Sequence, residues 1–224
     1  MVKITAHSGC DDTKDNSLEY LKYALNTEAN AIEVDVRMND KGDLVLGHDT
    51  GSDIELKEAF DLLSKHPDKK MNCDLKQRGL ELVVYDLAKK CHVSSQLIYS
   101  GNVDLSKCLQ QVGFEDVEVY MNIENVYPEI YESLLNGKRV NSLKDVMQRI
   151  SEAGVHTVNL EYHLLEHEYT CDELAVLAEN YQLNFSAWTV NNADDIQLIM
   201  NHKYVDNITT RSLKTTLEMR KELC

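Results

Sequence analysis

The chain has 224 residues, 43% of them hydrophobic, with 2 prolines and 9 glycines. That is enough chain for one large α/β domain with a full core, and too little proline and glycine for long disordered linkers. Its 23 basic and 38 acidic residues leave a formal charge of −15, which repels phosphate backbones and argues against nucleic acid as a partner, although a metal ion or local cations can still reverse the field inside one cleft.

The first element predicted is a strand over "KITAH", ending at His7 with Gly9 two residues on. Leu18, Leu21, Ala24 and Leu25 then share one helical face. A strand follows over "AIEVDVRM" (31–38). The turn Asp40-Lys41-Gly42 leaves no room for a helix, so "DLVLGHD" returns as a hairpin partner. Leu56, Ala59, Phe60 and Leu63 mark the next helix and "MNCDLK" the next strand. Helical stretches at 79–92, 104–112, 128–153, 171–182, 192–202 and 211–222 then alternate with the strands "QLIYSG", "VEVYMNI", "HTVNLEY", "NFSAWTV" and "VDNITT".

Strands alternating with helices imply βαβ units and a parallel sheet. Setting the hairpin strand aside leaves eight, the count of a (β/α)8 or TIM barrel, expected as a single domain over 1–224. An open doubly wound sheet is the alternative, but the glycine-rich loop expected after its first strand is absent. No basic-then-apolar leader and no run of about 18 apolar residues is present, so no membrane anchor is expected. The six cysteines (Cys10, Cys73, Cys91, Cys108, Cys171, Cys224) are scattered without a C-x-x-C pair, as expected of free thiols in a reducing cytoplasm.

Strand side chains alternate between two faces. Glu33, Asp35 and Arg37 therefore share one face of the second strand, and Asn72, Asp74 and Lys76 one face of the fourth. Both faces of a barrel strand are buried, and buried carboxylates are costly unless cations or a metal match them. Glu33, Asp35 and Asp74 make a hard, all-oxygen donor set suited to Mg²⁺ or Ca²⁺. His7 and His48 beside such an ion suit acid–base work near neutral pH, and Lys76 adds a cation for an anionic substrate. Together these residues suggest phosphoryl transfer at a barrel mouth.

The motifs "AHSG", "DNS", "EVDVRMNDKGDLVLGHD", "CDLK" and "WTVN" resemble, in order and spacing, those of the glycerophosphodiester phosphodiesterase family: H-R-G, E-N-T, E-x-D, H-D, E-x-K and W-T-V-N. The match covers residues 4–76 and 184–210. The resemblance implies a TIM barrel and a divalent metal held by Glu33, Asp35 and Asp74. It also implies an acid–base pair of His7 and His48, phosphate binding by Lys76, and Trp188 as a wall of the pocket. The implied substrate is a small-molecule phosphodiester, split into an alcohol and glycerol 3-phosphate.

Four departures bear on that expectation. Ser8 stands where the motif has arginine, so a charged, bidentate grip on phosphate becomes one hydroxyl. Arg37, on the carboxylate face, and Arg211, after the last strand, are the candidate replacements. Asp15-Asn16-Ser17 replaces E-N-T, and Asn16 with Glu19 also reads as a helix N-terminal capping pair. Asp74 is one methylene shorter than the motif glutamate. Residues 50–73 leave little chain for a lid, so the mouth is expected to be open. Two other functions fit the same motifs: a phospholipase D- or sphingomyelinase D-like enzyme acting on lipid headgroups, and a barrel that binds phosphate without turnover. "HLLEH" at 163–167 matches a metalloprotease pattern but lies where a loop is expected.

Overall fold

The computed structural model describes residues 1–108, 116–135, 143–167 and 170–222. In chain order the elements are β1 (Lys3–Ala6), α1 (Leu18–Leu25), β2 (Ala31–Met38), β3 (Leu44–Leu46), α2 (Leu56–Leu63), β4 (Lys70–Leu75) and α3 (Glu81–Lys90). There follow β5 (Leu97–Gly101), α4 (Leu105–Cys108), β6 (Glu118–Asn122), α5 (Ile130–Leu135), α6 (Leu143–Glu152) and β7 (Thr157–Glu161). The chain continues through α7 (Cys171–Tyr181), β8 (Asn184–Trp188), α8 (Ala193–Met200), β9 (Val205–Thr210) and α9 (Leu213–Glu222). Parts of the helical stretches expected at 104–112 and 128–153 lie outside the described residues.

The strands pair in the order β1-β9-β8-β7-β6-β5-β4-β2, all parallel, and β1 closes the ring by pairing with β2. This is a closed (β/α)8 barrel. β3 pairs antiparallel with β2 outside the ring, with Val36 opposite Leu46, as the Asp40-Lys41-Gly42 turn predicts. No described helix is long and apolar enough to cross a membrane. Cys10, Cys73, Cys91, Cys108 and Cys171 are free thiols, and Cys224 lies outside the described residues.

The main apolar core lies between barrel and helices. Ile32, Val34 and Val36 point outward into it from β2, and Leu56, Ala59, Phe60 and Leu63 pack inward from α2 at the i, i+3, i+4, i+7 spacing of one helical face. Burying one such large side chain contributes about 2 kcal/mol. The barrel interior is polar by contrast: Thr5, Glu33, Asn72, Ser100, Asn159, Ser186 and Asn207 are buried, with Ala31, Ile98 and Tyr120 forming a small apolar cluster of their own. Three of these polar groups form a chain of hydrogen bonds, while Asn72 Oδ1 is buried without a partner. Thr5 Oγ1 donates to Asn207 Oδ1 at 2.8 Å and Asn207 Nδ2 to Ser186 Oγ at 2.9 Å.

One local expectation is corrected. The cap of α1 is Ser17, not Asn16: Ser17 Oγ accepts from Tyr20 N at 3.1 Å. Asn16 sits in the left-handed region at φ +52° with its side chain turned into the barrel mouth. It is buried there because a charged partner on β2 holds its amide.

Candidate active site

The functional side chains gather at the C-terminal ends of the strands, where barrels of this kind place their chemistry. One cavity of about 660 Å³ is lined by His7, Ser8, Glu33, Asp35, His48, Asp74, Lys76 and Trp188, all the acid–base, metal and substrate candidates of the sequence except Arg37. Register makes this happen. Asp35 on β2 lies directly opposite Asp74 on β4, and Glu33 opposite Asn72, so both strands turn their carboxylates inward at neighbouring heights.

Glu33, Asp35 and Asp74 each bring a carboxylate oxygen within 4.8 Å of the others. Burial, with Asp74 and Asp35 beside it, pushes the Glu33 carboxyl well above its usual range. Burial also raises Asp74, although Lys76 pulls the other way. Burial pushes Asp35 upward too, but Lys76 and the Asn16 amide overcome it and hold Asp35 low. Lys76 Nζ bridges Asp35 Oδ1 at 2.9 Å and Asp74 Oδ2 at 2.6 Å, and those two carboxylates hold its own pKa up despite burial.

These residues fit a divalent cation. Asp74 Oδ1 is buried and makes no hydrogen bond. Gly101 leaves room for it, since a Cβ there would lie 1.9 Å from that oxygen. The donors are all hard oxygens, and three acids crowded in one low-dielectric site repel one another until a cation neutralises them.

His7 follows β1, its backbone N–H donating to Thr210 O at 2.9 Å. Its Nε2 faces Glu33 Oε1 at 3.7 Å and its Nδ1 meets Ser8 Oγ at 3.1 Å. Burial, helped by the Arg211 charge, lowers its pKa to about 4, so the imidazole is neutral at pH 7. His48 lies past the end of β3, two residues beyond Leu46, where the sequence expected strand to continue. Its Nδ1 sits 2.8 Å from Asp49 Oδ1, and its side chain is 66% exposed, as the short 50–73 connection implies.

Of the two arginines put forward for the place left by Ser8, one is at the site. Arg211 lines the cavity. Arg37 does not; its Nη1 donates to the His48 carbonyl and so helps hold that loop.

No protein-family model matches the chain, and no curated protein sequence does. Solved structures do. A glycerophosphodiester phosphodiesterase from Parabacteroides distasonis superposes with a TM-score of 0.74 at 15% identity, covering 100% of this chain and 98% of that one. One from Agrobacterium tumefaciens gives 0.68 at 14% identity over 97% and 100%. An Oleispira antarctica phosphodiesterase, solved in complex with its product sn-glycerol-3-phosphate, gives 0.70 at 14% identity over 99% and 96%. The chain has the fold of the glycerophosphodiester phosphodiesterases.

On that phosphodiesterase fold the mouth divides into two halves. β9, β1, β2 and β4 carry the charged groups. β5 to β8 contribute a wall of four carboxamides, Asn102, Asn122, Asn125 and Asn159, with Trp188 and one carboxylate, Glu124; sequence reasoning missed all of these but Trp188. Single amides near strand ends have no spacing signature. Asn122 links the wall together, its Oδ1 accepting from Gly101 N at 3.0 Å and its Nδ2 donating to Glu124 Oε1 at 2.8 Å. Tyr131 donates to Glu124 Oε2 at 3.1 Å and meets Trp188 edge-on, ring centroids 6.3 Å apart. Residues 162–165 form a 3₁₀ turn with His163 Nδ1 at 2.6 Å from Glu161, so "HLLEH" does not display its histidines on an α-helix.

Proposed function

We propose that this chain is a metal-dependent phosphodiesterase that hydrolyses glycerophosphodiesters to an alcohol and glycerol 3-phosphate, acting in the cytoplasm on a small-molecule substrate. The observation that carries the reading is the convergence of His7, His48, Lys76 and the Glu33-Asp35-Asp74 set in one cavity. The fold shared with solved glycerophosphodiester phosphodiesterases supports it.

Glu33, Asp35 and Asp74 would hold the divalent cation, Mg²⁺ or Ca²⁺, which supplies charge neutralisation for the phosphate as negative charge builds on its oxygens. His7, neutral at pH 7, is the proton acceptor for the substrate's own 2-hydroxyl as it attacks phosphorus and the alcohol leaves, and water then opens the resulting cyclic phosphodiester to glycerol 3-phosphate; Ser8 Oγ fixes the His7 ring orientation. His48 is the donor to the departing alcohol, and Asp49 orients its ring from the far side. Its exposure places it at the rim, where a leaving alcohol exits. Lys76, between Asp35 and Asp74, adds a fixed positive charge at the floor, and Trp188 forms a side wall.

The test is release of glycerol 3-phosphate from a panel of glycerophosphodiesters in Mg²⁺, Ca²⁺ or EDTA, with lysophospholipids and sphingomyelin alongside. Metal-dependent release from the water-soluble diesters is expected. Turnover of the lipids alone would assign the site to the phospholipase D-like chemistry. Phosphate binding without turnover would leave a binding barrel.

A further inference from the structure

We infer that Arg211, mounted after β9 and gripped by Asp15, is the cation that receives the substrate phosphate, and that it does so in place of the arginine that Ser8 displaces. The inference rests on the phosphodiesterase reading of the site.

The charges in the cavity leave few alternatives. Its lining includes Asp15, Glu33, Asp35, Asp49, Asp74 and Glu124 against two permanent cations among the described residues, Lys76 and Arg211. Lys76 is paired with two carboxylates, which more than offset its charge, whereas Arg211 is paired with one, Asp15. Ser8 cannot help: it is 1% exposed, uncharged, and its hydroxyl meets His7 Nδ1. An anionic diester entering a mouth with this excess of acid needs a fixed positive group near His7. Arg211 is that group, because Thr210, its chain neighbour, accepts the His7 backbone N–H.

Arg211 is built into position. Its Nη1 donates to Asp15 Oδ1 at 2.7 Å and to Gly9 O at 3.0 Å, and its Nη2 donates to Asp15 Oδ2 at 2.8 Å. This fork-on-fork pairing fixes the plane of the guanidinium. It uses three of the five N–H donors a guanidinium has. The backbone is pinned as well: Arg211 N donates to Asn191 Oδ1 at 2.8 Å and Arg211 O accepts from Asp11 N at 2.9 Å. Gly9 makes the arrangement possible, since a Cβ there would sit 2.2 Å from Asp15 Oδ1. Asp15 is thus a positioning residue: it orients Arg211 and has no need to touch the substrate. A guanidinium held so firmly loses little freedom on meeting phosphate.

Two measurements on the Mg²⁺-loaded protein test this: calorimetric affinity for inorganic phosphate and for glycerol 3-phosphate, and steady-state kinetics on a glycerophosphodiester. Arg211→Ala should weaken both ligands at least tenfold and raise KM more than it lowers kcat. Arg211→Lys should recover part of the loss, and Asp15→Ala should fall between wild type and Arg211→Ala. Ser8→Arg alone should give no gain in binding, because Arg211 already supplies that cation. In the Arg211→Ala background the same change should restore it. Melting curves identify variants that fail to fold, and Arg211→Lys, which keeps the charge and the Asp15 contact, keeps the test valid if Arg211→Ala is one of them. A folded Arg211→Ala protein that binds phosphate within twofold of wild type overturns the inference, as does a wild-type protein that binds neither ligand. A wild type that binds phosphate through Arg211 but cleaves no diester overturns the phosphodiesterase reading and leaves this inference standing.

Discussion

Asn16 clamps Asp35 from two sides: its Oδ1 accepts the Asp35 backbone N–H at 2.9 Å and its Nδ2 donates to Asp35 Oδ2 at 2.6 Å. The Asp35 carboxylate is therefore aimed before any cation arrives, with Oδ1 left to Lys76 and the cavity. Partners that orient a ligating carboxylate typically matter 10- to 100-fold in metal affinity. Asn16→Ala should weaken Mg²⁺ or Ca²⁺ binding by about that factor, measured by calorimetry. The neighbouring Ser17→Ala should instead cost about 1 kcal/mol of stability in a urea melt, through loss of the α1 cap, and leave metal affinity unchanged.

The two histidines should separate cleanly in kinetics. His7→Ala and His48→Ala are each expected to lower kcat by about 10²- to 10⁴-fold while the melting temperature stays near wild type. For His48 the surface position makes the second half of that expectation firm, its side chain being 66% exposed. Wild-type turnover by either variant would remove that histidine from the chemistry.

His7 also makes stability depend on pH. Its folded pKa is near 4 against an ordinary 6.5, so between those values the unfolded chain binds a proton that the folded protein refuses. Stability is therefore lost as pH falls from about 6.5 to 4, by about 3 kcal/mol in the metal-free protein. Glu33, whose carboxyl is raised, acts with the opposite sign above its ordinary 4.5. The difference between wild type and His7→Gln isolates the histidine. Urea midpoints in EDTA at pH 4.5 and 7 should converge for His7→Gln relative to wild type.

Glu33 predicts a proton count for metal binding. A carboxyl whose pKa is pushed up by burial and by Asp74 and Asp35 gives up whatever proton it carries when a divalent cation takes its place. Calorimetry in buffers of differing ionisation enthalpy should show proton release near pH 6, with affinity rising as pH rises. Glu33→Gln should bind more weakly and with a flatter pH dependence. A wild-type affinity indifferent to pH would place the carboxylate outside the cation's shell.

Much of this was legible in the sequence, because period-2 alternation and register are simple geometry. Glu33, Asp35, Asp74 and Lys76 could be placed on inward faces from spacing alone, and the β2–β4 register sets Asp35 opposite Asp74. The hairpin β3 was legible from its turn. What was not legible depends on contacts between distant segments. Asn16 reads locally as a cap, and only the approach of β2 turns it into a clamp on Asp35. Arg37 and Arg211 were indistinguishable until the barrel closed and brought Arg211 to Asp15.

The Asp15–Arg211 pair joins residues 196 apart in the chain, across the pairing of the first and last strands, β1 and β9. During vectorial synthesis β1 through β8 emerge with both histidines, all three carboxylates and Lys76, but Arg211 follows only after β9. Contacts of such long sequence separation form late, because the loop they close is large. A nascent chain therefore carries its acids before Arg211, the proposed phosphate anchor, and the full cavity is assembled only with β9, when the ring is sealed and the molecule is already committed to its fold.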